Sequence, residues 1–578
     1  MKNAKQVEEI LKNEIRLLPL KTLCKDSIHY LCVFPDFYEY GLPNIGMQTI
    51  YRECYNHKNV VPDRYYMPKE EWKDKELTWE QKVPASSCDI IGFSISYEGS
   101  YLNVLKCLRY MNIPLKQINR KERYPLVIGG GVVTMYNPLP LSPFFDAFIL
   151  GEGEDVIHEI LDVYLHFKGH SKRSILLNLS RIKGVFVPSI QDLKKPVLHV
   201  SPVNISNRPA HSIFLSKDTV YEEETFTIEV RRGCNQKCRF CYMGTRLRPA
   251  RTISFGAFKR TVDLGLSHCQ IIKCFYEGLP TSVIEEYLSY IEKKGGRLRI
   301  GSQRLEMLSE RIIEMMARAG QRKLVIAPES SERLRKVIGK ERIKNEDIIK
   351  YLNMASEKGI HDIGLYFIIG LPGETHEDLD EISNIIFTVR QHMNELGNKN
   401  GYLEVGINPL FPKPFTAFQY AAATYPEEAE KKLDYILGKL REFFPVQISN
   451  DVVDEKVEKP KEHTGDDSVI KIETTIGSTI TFSQPILSRG DERIGDVLLD
   501  MLDLEDTIDN WKQTLKSHGL IASDYFRSYL FAERLPWDFQ KCSVSTRHLI
   551  SEYNLALEME PSSPCTTNCS TCLSSCMV

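Results

Sequence analysis

Residues 225–244 read TFTIEVRRGCNQKCRFCYMG, and this stretch decides the fold. Its first six residues alternate threonine with larger β-branched or aromatic side chains, the composition of a strand. The strand runs into a polar loop that carries Gly233 and then three thiols, Cys234-x3-Cys238-x2-Cys241. Further strand candidates follow at QIIKCF, RLRIG, KLVIA, IGLYFII and YLEVGI, each trailed by a polar loop and usually by a helical stretch. Such βα repetition predicts a partial (β/α)6 barrel over residues 220–448, with its active site at the carboxyl ends of the strands. The thiols lie after the first of these strands, where that architecture places its chemistry.

The chain upstream repeats the theme with shorter, more apolar strands: IHYLCVF (28–34), IIGFSIS (90–96), PLVIGG (125–130) and DAFIL (146–150), with helical stretches such as YLNVLKCLRYM between them. Apolar runs separated by helices imply a parallel sheet covered on both faces, so residues 1–200 are expected to form a doubly wound α/β domain. Ligands of such sheets sit over the carboxyl strand ends, which marks Gly129-Gly130-Gly131 and Gly151-Glu152-Gly153-Glu154 as a binding edge.

Residues 449–468 are charged and free of aromatics, the composition of a linker or long surface loop. Beyond them, IKIETTIGSTITF reads as a strand or hairpin and GDVLLDMLDLEDTIDNWKQTLKSHGL as amphipathic helix. A smaller, mainly helical C-terminal region over 469–578 is the expectation, ending in a cysteine-rich tail.

Size and composition agree with this division. At 578 residues the chain exceeds what one hydrophobic core supports. With 42% hydrophobic and 26% charged residues it reads as globular, and a net charge of -3 gives no bulk attraction to nucleic acid or anionic membrane. No run approaches the length of a membrane span, and the first twenty residues carry charges through any signal-peptide core, so a cytoplasmic location is expected. In that reducing setting clustered cysteines read as metal ligands before disulfides.

Three close thiolates ligate three corners of a cubane [4Fe-4S] cluster and leave one iron open. Zinc is the competing metal, although it closes a tetrahedron and no nearby His or Cys completes one. A second set, Cys565-x3-Cys569-x2-Cys572-x3-Cys576, supplies four thiols, enough to close an auxiliary Fe-S cluster or a zinc site. Cys24, Cys32, Cys54, Cys88, Cys107, Cys269, Cys274 and Cys542 read as small buried hydrophobes. Around the first cluster, Arg231, Arg232, Lys237, Arg239, Arg246, Arg248 and Arg251 occur with no acidic residue among them. This run either steers an anionic substrate, RNA included, or compensates the charge of the thiolates.

The motif Cys-x3-Cys-x-aromatic-Cys, with Phe240 as the aromatic, resembles the signature of the radical S-adenosylmethionine (SAM) superfamily. The likeness continues through Arg246-Leu247-Arg248-Pro249, APESSERLRKVIGK (327–340), LYFIIGLPGET (365–375) and PLFPKPFTAFQY (409–420), and it points to a subgroup with an N-terminal cobalamin (B12)-binding-like domain. FPDFYEYGLPNIGMQTIY (34–51), ILGEGEDVIHEI (149–160), LSRGDERIGDVL (487–498) and LPWDF (535–539) resemble the same subgroup. The resemblance implies a [4Fe-4S] cluster that cleaves SAM reductively to a 5'-deoxyadenosyl radical, fed by an electron donor of flavodoxin or ferredoxin type. It also implies that Phe240 and the Tyr242 backbone meet the adenine, that Glu277 and Gly278 approach the methionine amino group, that Ser302, Arg304 and Glu329 address ribose or carboxylate, and that Gly370 lets the backbone approach the adenine.

Cobalamin is implied less directly. The D-x-H-x-x-G loop of methionine-synthase-type domains is absent, His29 and His57 fall outside any match, and Pro35-Asp36 with Tyr38-Glu39-Tyr40-Gly41 occupies the first loop. Cobalamin then binds without a protein imidazole and serves methyl transfer, or the domain keeps the fold alone. Two rivals stand beside this reading: a methylthiotransferase-like enzyme acting on RNA or protein, whose N-terminal three-cysteine set is not evident here, and a zinc-stabilised nucleic-acid-binding protein. Substrate and product are not legible in the sequence.

Overall fold

A computed structural model of the chain describes residues 2–201, 204–449, 468–542 and 544–562. The chain divides into two compact units: Met1–Thr227 with Ile486–Tyr525 and Arg534–Cys542, and Ile228–Pro485 with Phe526–Glu533 and Ser543–Val578. Most of the expected linker, and all four cysteines of the tail, lie outside the described residues. Among the described residues, no helix is long and apolar enough to cross a membrane.

The first unit is built on a six-stranded sheet. Its strands are β1 (Ile28–Phe34), β2 (Val60–Tyr66), β3 (Ile90–Ser94), β4 (Leu126–Gly130), β5 (Ala147–Ile149) and β6 (Val185–Phe186), in the order β2-β1-β3-β4-β5-β6. The first five run parallel and β6 is antiparallel to β5. Alternation along β1 sends Ile28, Tyr30, Cys32 and Phe34 into one apolar cluster, with Met47, Tyr51 and Ile157 from helices Ile45–Asn56 and Gly153–Phe167. Leu31 and Val33 point the other way and are equally buried, as a doubly wound sheet requires. The four strands expected from sequence are all present, and the Rossmann-like class holds.

β2 was not expected, because Pro62, Asp63 and Arg64 interrupt its apolar run. It is nevertheless buried along its whole length, and a charged network makes that tolerable. Arg64 donates to both oxygens of Glu14 at 2.8 and 2.7 Å and to Glu80 at 2.6 Å. Asp63 accepts from the backbone N–H groups of Glu80 at 2.8 Å and Gln81 at 3.0 Å, and faces His29 at 3.2 Å. Burial raises the Glu80 carboxyl to about 7 even though Arg64 opposes it. Glu14 and Glu80 thus share Arg64, with Arg16 as a second cation at 3.4 Å from Glu14 and 3.1 Å from Glu80.

In the second unit all six expected strands appear: β7 (Thr225–Glu229), β8 (Ile271–Phe275), β9 (Arg297–Arg299), β10 (Lys323–Glu329), β11 (Asp362–Ile369) and β12 (Leu403–Pro409). They form two sheets, β7-β8-β9 and β10-β11-β12, the latter extended by β14 (Ile470–Glu473) and β13 (Val446–Ser449) in the order β12-β14-β13. A parallel bridge between Gln303 and Ile326 joins the β9 side to β10. The ladder thins there for a local reason: β9 spans three residues, and the register of β10 against β11 shifts between Ile326 and Glu329, where Pro328 has no N–H to give.

The C-terminal expectation needs correction. IKIETTIGSTITF is not a hairpin: its first residues form β14 inside the second unit's sheet, and Thr479–Arg489 is helix. The expected single amphipathic helix is two, Ile494–Met501 and Ile508–Ser517, and both belong to the first unit. Residues 469–578 are thus divided between the units, because β14 completes a parallel ladder with β12 while the later helices bury their apolar stripes elsewhere.

Replacing Arg64 by alanine removes the closer cation from two buried carboxylates and leaves them only Arg16, which is expected to cost roughly 3–5 kcal/mol of stability. Urea unfolding of the full chain checks this, and a loss below about 1 kcal/mol contradicts the part given to Arg64 in this network.

Candidate functional site

The thiol loop starts where β7 ends. Val230 donates to the Phe275 carbonyl at 2.8 Å, keeping β7 beside β8. Arg231 and Arg232 then pair antiparallel with Thr252 and Arg251, which closes the loop at its base. Within it, Cys234 N–H donates to the Met243 carbonyl at 3.1 Å, and Cys241 N–H to the Cys238 carbonyl at 3.0 Å. Tyr242–Gly244 is a single 3-10 turn whose first carbonyl accepts from Thr245 and Arg246. The three cysteines are therefore fixed by backbone bonds on one short, folded loop.

Their side chains are close enough to oppose one another's ionisation. Burial first, and then Cys238 and Cys234, push the Cys241 thiol up to about 12, while Lys340 pulls it back. Burial also raises Cys234, with Cys238 adding to it. Around them stand donors: Gln236 N–H points at Cys234 Sγ at 3.4 Å, and Arg304 Nη1 donates to Cys238 Sγ at 2.8 Å. Burial works against the charge on Arg304, but Cys238 and Glu306 outweigh it and hold the guanidinium protonated. As the side chains stand, no three His, Cys, Asp or Glu groups among the described residues converge as a metal-holding set. The donor chemistry fits an iron-sulfur cluster all the same: three thiols on one loop give up their protons together only to a strongly cationic core.

The remaining candidates come from the loops after successive strands. After β8, Glu277 is exposed and Gly278 has φ +76°, and a Cβ on Gly278 would stand 2.5 Å from Cys234 Sγ. Only glycine lets this loop lie on the first cysteine. After β9, Ser302 is exposed, its carbonyl taken by the Gln303 side chain at 3.0 Å, whereas Arg304 turns to Cys238. Glu329 ends β10 in the left-handed region at φ 68°, and its carboxylate accepts from Lys340 at 2.7 Å. A non-glycine residue held there marks strain that the surroundings sustain. After β11, the N–H of Gly370 is taken by Glu374 at 3.0 and 2.9 Å, and a Cβ would stand 1.8 Å from Thr424 Oγ1. The close approach that the missing Cβ of Gly370 permits in this structure is thus to Thr424. Phe240 packs on an apolar cluster that includes Leu371, Leu410 and Phe418.

Cys234, Cys238, Gly278 and Arg304 are in this way brought together, with Lys340 joining Glu329 to the neighbourhood of Cys241. Lys340 was missed from sequence. It is 4% exposed and follows a helix-ending glycine, a position where a lysine ordinarily faces water. The basic run takes a different form from a binding stripe. Arg231, Arg239, Arg246, Arg248 and Arg251 are buried, and Arg246 stacks on the Phe415 ring at 4.3 Å. These cations hold the loop from within.

Comparison with known proteins bears on both units. A model of the radical SAM superfamily matches residues 228–386, and a model of the N-terminal part of radical SAM proteins matches residues 46–188. The uncharacterized protein MJ0966 of Methanocaldococcus jannaschii is 26% identical over 417 residues, which is 71% of this chain and 82% of that one. Of solved structures, the chain is similar to the radical SAM methyltransferase TsrM of Kitasatospora setae, at 14% identity over 66% of this chain and 73% of that one, with a TM-score of 0.45. It is also similar to OxsB, a cobalamin-dependent SAM radical enzyme seen with aqua-cobalamin and SAM bound, at 14% identity over 92% and 79% of the chains and a TM-score of 0.49. The superfamily match begins on β7, takes in the three-cysteine loop and runs past β11, so that sequence and geometry coincide on the same residues: the chain belongs to the radical SAM superfamily of enzymes.

Proposed function

We propose that Cys234, Cys238 and Cys241 ligate the [4Fe-4S] cluster that the superfamily uses, and that the chain cleaves SAM reductively to act on a substrate of its own. The observation that carries this is the loop after β7, which holds three thiols within eight residues, with Arg304 on Cys238 and Lys340 toward Cys241. When bound, the cluster supplies one electron to the sulfonium of SAM, whose C–S bond breaks to give methionine and a 5'-deoxyadenosyl radical.

The protein's part is positioning. Gly278 lets the loop after β8 reach Cys234, where Glu277 is available to a methionine ammonium group. Arg304, lodged against Cys238, offers a fixed positive charge to a carboxylate. Lys340 neutralises Glu329 and places a second cation near Cys241. An electron donor of flavodoxin or ferredoxin type would reduce the cluster. The tail thiols Cys565, Cys569, Cys572 and Cys576 are proposed to hold an auxiliary cluster or zinc. A zinc-stabilised nucleic-acid-binding protein is the less favoured reading, since most of the basic run is buried.

For the reaction we propose cobalamin-linked methyl transfer. The strand order of the first unit reverses between β1 and β3, and the crevice over their carboxyl ends is where open α/β sheets bind cofactors. Asp36 and Ser96 follow the two strands at that edge, where Asn44 donates to Ser96 at 3.1 Å, while Tyr38 turns into the core against Trp79. No histidine lies in the loop directly after β1 or β3: His29 is at the opposite end of β1 against Asp63, and His57 faces Asp162. The corrinoid would therefore bind without a protein imidazole. A methylthiotransferase of RNA or protein is the alternative, and it is weakened because the N-terminal three-cysteine set of that group is not evident in the sequence: Cys32 and Cys54 are neighbours in the apolar core, and Cys88 faces His29 at 3.5 Å.

After anaerobic reconstitution, the full chain is expected to contain iron and sulfide and to form 5'-deoxyadenosine from SAM and dithionite. Cys234→Ala, Cys238→Ala and Cys241→Ala are each expected to lose the activity, falling by at least about a thousandfold. Full turnover in all three variants refutes the ligand assignment. Incubation with hydroxocobalamin followed by gel filtration is expected to leave corrinoid on the protein. Deoxyadenosine formation without any retained corrinoid ends the methyl-transfer reading and leaves the radical one standing.

A further inference from the structure

Arg239 lies between the second and third cysteines and is 3% exposed. Its Nη1 donates to the carbonyls of Lys336 at 3.0 Å and Val337 at 3.2 Å, and its backbone N–H donates to the Ile338 carbonyl at 3.0 Å. These are the last carbonyls of helix Glu332–Ile338 and carry its negative end; that of Lys336 also accepts from the capping Gly339 N–H at 3.3 Å. On the other side, Nε donates to Glu552 Oε2 at 3.2 Å, and Nη2 to the Glu560 carbonyl at 2.7 Å and to Ser562 Oγ at 3.3 Å. Ser562 in turn donates to Glu552. The arginine's own carbonyl accepts from Phe418 N–H at 3.3 Å. Just past the helix, Gly339 approaches so closely that a Cβ would stand 2.4 Å from the Lys237 carbonyl.

We infer that Arg239 and Glu552 are positioning residues for the three-cysteine loop, and that the helix Thr546–Leu557 and the segment after it, as far as Ser562, form a functional part of that loop's mount. This rests on the reading that Cys234, Cys238 and Cys241 hold the cluster. A guanidinium suits the task where an ammonium would not: its planar fork meets two adjacent carbonyls on one edge and a carboxylate on another at once. The arginine fixes the backbone midway between Cys238 and Cys241, the two thiols with the shortest spacing. Glu552 is 8% exposed, so removing either member leaves the other as a buried charge without its counter-ion. Phe240, the next residue, packs on the same cluster as Ala556 from that helix. Residues more than 300 positions apart in sequence thereby set the separation of two of the three sulfurs.

The test uses the full chain, reconstituted anaerobically, with Arg239→Gln, Arg239→Lys, Glu552→Gln and Cys238→Ala compared with wild type. Iron and sulfide per chain, the electron paramagnetic resonance spectrum of the reduced protein with and without SAM, and urea unfolding are measured together. Glu552→Gln keeps an acceptor for the arginine and guards against simple unfolding. Arg239→Gln and Glu552→Gln are expected to change the resonance and to slow SAM cleavage by roughly tenfold to a hundredfold, while urea unfolding remains cooperative. Arg239→Lys is expected to recover iron content in part without restoring the wild-type spectrum. Wild-type iron, spectrum and cleavage rate in both Arg239→Gln and Glu552→Gln overturn the inference. Wild-type iron in Cys238→Ala instead overturns the ligand assignment beneath it, so the two failures are told apart.

Discussion

Three thiols within eight residues resist ionising together, and the second unit is arranged around that resistance. A single thiolate is tolerable in a protein interior when one cation faces it. On this loop burial raises Cys234 and Cys241 first, and the neighbouring thiols add to it. The chain answers with cations drawn from separate loops: Arg304 after β9 on Cys238, and Lys340 beyond β10 toward Cys241. Because these loops follow different strands, the charge balance exists only once the parallel sheets are formed. Folding and the ability to hold a charged centre are therefore one problem here.

The same constraint explains the buried arginines. Unpaired charge inside a protein is expensive, so Arg231, Arg239, Arg246, Arg248 and Arg251 have to be useful to the loop to be kept there. Arg239 caps a helix end and Arg246 lies on an aromatic face. From sequence alone this run could also be read as a surface stripe for an anionic partner, although charge compensation at the thiols was the preferred reading. Composition records the sign of a charge and not the direction in which it points.

Legibility follows the range of the interactions involved. Six of the eight strands named in the second unit and four of the six in the first could be read from apolar period and flanking turn residues, which are local. The cysteine loop was legible for the same reason. β2 was not, since Pro62-Asp63-Arg64 is acceptable in a buried strand only when Glu14 and Glu80 arrive from elsewhere in the chain. Lys340 and Thr424 were invisible on similar grounds: one is defined by a carboxylate eleven residues upstream and the other by a glycine more than fifty residues away. The C-terminal segments were read correctly as strand or helix only in part, because their partners decide the matter. β14 is a strand where it meets β12, and the residues that follow, with nothing left to pair, turn to helix.

The first unit poses the complementary case, a cofactor-binding architecture without the expected ligand. Its strand order produces a crevice between β1 and β3 whatever occupies it. The glycines that marked the sequence there are accounted for by packing: a Cβ on Gly131 would stand 2.5 Å from the Ile95 carbonyl, and one on Gly151 would stand 2.2 Å from that of Val200. Glycine content in this region thus speaks for the fold, and any claim about a corrinoid has to stand on the polar edge instead. That edge offers Asp36, whose carboxyl burial and Glu39 both push upward, toward the protonated form. The Phe37 N–H opposes that shift, so the carboxyl is held between burial and a hydrogen bond from its own loop. With the glycines taken up by packing, this carboxyl and the Asn44–Ser96 hydrogen bond are the polar groups that would have to hold the proposed corrinoid.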